Sequence, residues 1–118
     1  MRIAEFLEVE SIMPKFMFHG SYTAVGAAGV LKDGGSGRLK AIEALAASLD
    51  GSVESAYWAL GTEDFYVIGE LPDSKAAAAL SLTVAATGSL SITTAELFNA
   101  ADLDEIAGRR ATFRPPGA

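Results

Sequence analysis

Strand-like alternation and helical spacing succeed one another along this chain in a regular order. Over Pro14–Ser21, Phe16 and Phe18 fall on one face of an extended segment, and Met17 and His19 on the other. Thr23 then offers an N-cap for a helix over Ala24–Leu31. Lys32-Asp33-Gly34-Gly35-Ser36-Gly37 interrupts that helix, because three glycines in four residues raise the entropic cost of helix formation. Helix resumes near Arg38, with Leu39, Ile42, Leu45, Ala46 and Leu49 recurring along one face. It ends at Asp50-Gly51, where Gly51 is expected to adopt the left-handed conformation.

Two strand patterns follow, Val53–Leu60 and Phe65–Leu71, joined by the polar turn Gly61-Thr62-Glu63-Asp64. In the first, Val53 and Tyr57 oppose Ala56, Trp58 and Leu60; in the second, Phe65 and Val67 oppose Tyr66 and Ile68. Asp73 or Ser74 caps a second helix, whose buried stripe is Ala77, Leu80 and Val84 and which Gly88 ends. Ser89–Phe98 alternates again, with Leu90 and Ile92 opposite Ser91 and Thr93, and Asn99–Gly108 is a short terminal helix carrying Leu103 and Ile106. Residues 1–12, where Glu5, Glu8 and Glu10 alternate irregularly with Phe6, Leu7 and Val9, are read as an N-terminal extension; the competing reading is an extra strand or helix used in packing. The domain proper is then 13–108, and 109–118, ending in Pro115-Pro116-Gly117, is a tail.

The order is β-α-β-β-α-β, which defines an α+β fold of the ferredoxin-like type: a four-stranded antiparallel sheet with two helices on one face. Right-handed crossovers put both helices on that same face. Yet every strand carries apolar residues on both sides, whereas a solvated sheet face alternates with polar residues. Burying three side chains such as Met, Tyr or Trp, and Ile is worth roughly 1.5–3 kcal/mol each. The second face therefore predicts a partner, and a sheet-to-sheet homodimer or larger homo-oligomer supplies it.

Composition narrows the function classes. The chain has no Cys and a single His, His19, so thiolate chemistry and Cys-ligated or multi-His metal sites within one chain are excluded. A net charge of −6 without a Lys/Arg stripe argues against nucleic acid as partner. The most apolar run, Ala76–Ala86, is too short and Ala-rich to span a bilayer, and the acids of the first eight residues do not suit a signal peptide. A cytoplasmic protein without metal or cofactor is the expectation.

Several segments resemble those of the GYD-domain family: Pro14-Lys15-Phe16-Met17-Phe18-His19-Gly20-Ser21-Tyr22-Thr23, Leu31 through Arg38, Gly51 through Gly61, and Leu80-Ser81-Leu82 followed by Gly88. The family's signature turn reads Gly-x-Tyr-Asp. Here it is Gly61-Thr62-Glu63-Asp64, so Gly and Asp match while Glu63 stands where the family has Tyr. The resemblance implies a branch of the dimeric α+β barrels, in which two ferredoxin-like subunits face their sheets inward. That superfamily includes cofactor-free monooxygenases, isomerase-like proteins and ligand-sensing domains, but the GYD family has no established reaction, so the resemblance places a site without naming its chemistry.

Within such a barrel the candidate ligand-binding residues are Met17, His19, Tyr57, Trp58, Tyr66 and Ile68. His19 is the candidate general acid/base, against a hydrogen-bonded interface His. Tyr57 and Trp58 are neighbours in a strand, so one of them lines the barrel and the other meets the helices. Lys32–Arg38 is an anion-binding candidate, outweighed by its reading as a helix break, and Glu63 with Asp64 is a paired-carboxylate candidate, outweighed by an Asx-turn. The expected function is binding of a small, mostly apolar ligand. The alternatives are a cofactor-free oxygenase or isomerase that uses His19, an aromatic residue and Thr93 or Thr94 on a small aromatic or enolisable substrate, and a purely structural assembly.

Overall fold

A computed structural model describes residues 13–118; the extension expected over residues 1–12 lies outside the described residues. The elements are β1 (Lys15–Tyr22), α1 (Ala24–Ser48), β2 (Ser52–Trp58), β3 (Phe65–Glu70), α2 (Ser74–Ala85), β4 (Leu90–Leu97) and α3 (Ala100–Gly108). The strands form one antiparallel sheet in the order β2-β3-β1-β4, so both crossovers skip a position, as the split βαβ arrangement requires. Arg109–Ala118 carries neither helix nor strand.

Each helix begins at a polar cap. The Thr23 side chain accepts from the Gly26 amide, Asp73 accepts from Ala76, and Asn99 and Asp102 form a reciprocal capping box at α3. The helix interruption expected across the glycine cluster contracts to one residue: α1 runs through it with a kink at Gly34, whose φ of 73° and ψ of 172° are not helical. Gly88 takes a left-handed φ of 71° and ends the turn after α2 as expected. Past α1 the expectation needs correction, because the left-handed residue is Asp50 (φ 61°) rather than Gly51. Gly51 serves a different need: a Cβ there would lie 2.3 Å from the Glu70 carbonyl oxygen and 2.5 Å from Leu71 Cδ2.

The core lies between the helices and one face of the sheet. Phe16, Phe18, Phe65, Val67 and Leu71 meet Ala77 and Leu80 of α2, with Ile42, Leu45 and Leu49 of α1 packed beside them. Val53 belongs to this face too, which departs from its expected pairing with Tyr57. A bulge between Val53 and Ser55 inserts one residue into β2 and flips the alternation that follows. The strand also stops at Trp58, leaving Leu60 fully exposed in the turn.

Leu71, only 1% exposed, is the most enclosed large side chain. Leu71→Ala is expected to lower stability by about 3 kcal/mol, the transfer cost of the lost atoms plus that of the void they leave. Urea denaturation followed by circular dichroism measures it, and a loss below about 1 kcal/mol would contradict this account of the core.

Candidate functional site

The sheet face away from the helices is organised in transverse rows, because residues directly opposite on antiparallel strands bring their side chains close together. The first row runs Tyr57, Tyr66, His19, Thr93 across β2, β3, β1 and β4. The second runs Ser55, Ile68, Met17, Ala95. At the far end Lys15 lies between Glu70 and Leu97 and donates to Glu54 Oε1 at 2.5 Å. That hydrogen bond, and then the Glu54 charge, raise the Lys15 pKa above its ordinary value. The open face thus has an apolar band with a charged row on one side and an aromatic, polar row on the other.

The structure brings five of the six expected ligand contacts onto this face. Met17, His19 and Ile68 are half-buried within the single chain, while Tyr66 is 38% and Tyr57 70% exposed. The sixth, Trp58, is on the helix-covered side. Its register partner is Phe65, and its Nε1 donates to the Tyr22 hydroxyl at 2.9 Å, while the Tyr22 ring packs on Phe65 with centroids 5.4 Å apart. Of the two neighbours, Tyr57 is therefore the one on the open face. Thr93 stands beside His19 in the first row, whereas Thr94 points to α2 and shares a 2.5 Å hydrogen bond with Ser81.

The β2–β3 turn folds back over the end of this face. Asp64 N donates to the Gly20 carbonyl at 2.7 Å, the Tyr22 amide donates to Asp64 Oδ2 at 2.9 Å, and Ser21 Oγ donates to the Thr62 carbonyl at 3.0 Å. These bonds pin the turn to β1. Asp64 therefore spends its carboxylate on the neighbouring strand rather than on an Asx-turn of its own. The clamped turn sets Glu63 over His19, with Glu63 Oε2 2.5 Å from His19 Nδ1. The imidazole also stacks against the ring of Tyr66, with centroids 6.0 Å apart and planes inclined by 17°.

Against an ionised carboxylate, which only accepts, Nδ1 is the donor of this contact, and in a neutral ring the lone pair then lies on Nε2. Nε2 has no hydrogen-bond partner among the described residues. Sequence pattern singles out His19 and pairs Glu63 with Asp64 as candidate carboxylates, outweighed by a turn, but does not join Glu63 to His19. No local signal joins two residues 44 apart; the contact follows from the antiparallel pairing of β1 with β3 and the clamp at Asp64.

The cavity between the helices and the sheet offers less chemistry. An apolar cavity of about 90 Å³ lies under α1, lined by Ile42, Leu45, Val67, Leu71, Leu80 and Ile92, with Arg38 at its margin. Few polar groups reach it to orient a ligand. Arg38 Nη1 lies 3.5 Å from Asp33 across the helix kink, so the segment expected either to bind an anion or to break the helix is spanned by its own ion pair. Among the described residues, no helix is long and apolar enough to cross a membrane.

The split βαβ topology, with α1 and α2 on one face of the sheet and a chemically differentiated face opposite, defines an α+β domain of the ferredoxin-like type. The family model described as GYD domain matches residues 16–107, and the chain belongs to that family. No curated protein and no solved structure matches the chain. Glu63 and His19, the two residues in contact, both lie within the matched segment.

Proposed function

We propose that copies of this chain pack open face to open face and hold a small, mostly apolar molecule between their sheets, in contact with Met17, His19, Tyr57, Tyr66 and Ile68. The observation that carries this reading is the apolar band of Ile68, Met17 and Ala95, left bare by the helices and bounded by polar rows. An apolar centre with a polar rim is the anatomy of a protein interface, and a face set against its own copy across a two-fold axis needs such self-complementarity. Aromatic rings with polar ends, Tyr57 and Tyr66, then line the closed space. A cytoplasmic setting agrees with a chain free of Cys.

The His19–Glu63 contact favours a second reading, cofactor-free acid–base chemistry on a small aromatic or enolisable substrate, in an oxygenase or isomerase. Binding itself is tested with nitrobenzene as the probe, titrated into ¹⁵N-labelled protein. Amide shifts clustered at Met17, His19, Tyr57, Tyr66 and Ile68 are expected. Shifts confined to Ile42, Leu80 and Val84, around the cavity under α1, would contradict the reading.

A further inference from the structure

We propose that Glu63 is the positioning residue for His19, and that the pair selects ligands bearing a weakly acidic hydroxyl, such as a phenol or an enol. The proposal rests on the reading of the open face as a ligand site. Glu63 is carried by a clamped turn, tied to β1 by a backbone bond from Asp64 N to the Gly20 carbonyl and by the Ser21 hydroxyl and the Asp64 carboxylate, which bond Thr62 and Tyr22. Its Oε2 at 2.5 Å fixes the proton on Nδ1, and stacking on Tyr66 fixes the ring plane. Both constraints leave Nε2 as an oriented acceptor with no competing partner among the described residues. A planar molecule resting on the Tyr66–Tyr57 side of the face and on the Met17–Ile68 band can direct a hydroxyl to that nitrogen.

The step is a proton transfer. The ligand O–H bond breaks, an N–H bond forms at Nε2, and the electron pair stays on the ligand oxygen. The ring becomes an imidazolium whose Nδ1–H faces the Glu63 carboxylate, as a buried carboxylate holds the histidine of a hydrolytic triad. No electron is transferred and no co-reactant is consumed.

Two measurements test it. First, the ¹⁵N shifts of the His19 ring in the unliganded protein are expected to show Nδ1 protonated and Nε2 bare; the Nε2–H tautomer would overturn the proposal. Second, 4-nitrophenol, whose anion has its own visible band, is compared with nitrobenzene, which has the same ring and no acidic hydroxyl. At a pH well below the solution pKa of 4-nitrophenol, the bound molecule is expected to ionise in the wild-type protein. In Glu63→Gln the ionised fraction of the bound molecule is expected to fall about tenfold or more. An ionised fraction equal in both proteins, or bound 4-nitrophenol that stays neutral in the wild type, overturns the proposal while nitrobenzene binding leaves the site reading standing. Failure of both probes to bind overturns the site reading and this proposal with it.

Discussion

Replacing Gly20 with alanine is expected to leave little or no stably folded protein. Gly20 sits in β1, which is hydrogen-bonded to β3 on one side and β4 on the other. A Cβ built there would lie 1.9 Å from the Ser91 carbonyl oxygen, 2.8 Å from the Ser91 carbonyl carbon and 3.1 Å from Ile92 Cα. All three atoms are backbone of β4, so no side chain can rotate aside, and relief requires moving one strand of the ladder. Overpacking that a core can absorb costs about 1–3 kcal/mol. With only backbone to yield, we expect about 4 kcal/mol or more, a large share of the marginal stability of a domain this size. The same residue's carbonyl accepts from Asp64, so the displaced strand would also release the turn that holds Glu63. A urea midpoint within error of wild type for Gly20→Ala would contradict the close approach of β1 and β4.

Ile68→Asp should have the opposite profile, with the fold kept and the assembly lost. Ile68 is on the open face, paired with Met17 on β1 and Ser55 on β2, and its side chain takes no part in the core between sheet and helices. A carboxylate there remains solvated in a single chain. At the centre of a sheet-to-sheet contact it would be buried without a partner, and we expect about 3 kcal/mol of lost association, roughly a hundredfold in the dissociation constant. Sedimentation equilibrium reads the association, and circular dichroism with urea denaturation reads the fold. Unchanged association would show that this face is not the interface, and a large loss of stability would show that Ile68 belongs to the core.

The element order was legible because each signal was local. Phe16 and Phe18 against Met17 and His19 sort to opposite faces in the structure as they do in the alternation, and Thr23, Asp73 and Asn99 cap the helices they precede. What escaped depended on long-range geometry. The bulge at Glu54 reverses the face of every residue after it in β2, and alternation within one strand carries no mark of an extra residue that only the pairing with β3 reveals. Alternation therefore groups Val53 with Tyr57, which the bulge puts on opposite faces, and only the register separates Tyr57 from Trp58. Gly51 was expected to be left-handed because glycine most often fills that position, but the Glu70 carbonyl needs its bare α-carbon more, and Asp50 takes the strained angle beside it. At the site, the type of His19 was visible from the start. Its contact with Glu63 was not, because an acid in a polar turn carries no sign of its partner until the turn is folded across the neighbouring strand.

Native mass spectrometry of freshly purified wild-type protein tests the central claim most directly, since it reads the assembly and any molecule retained within it. An even multiple of the chain mass, carrying the added mass of a small molecule that is lost on mild activation, is the predicted result. A single-chain species with no added mass, persisting at micromolar concentration, would contradict the claim that the open face is closed by a second copy around a ligand.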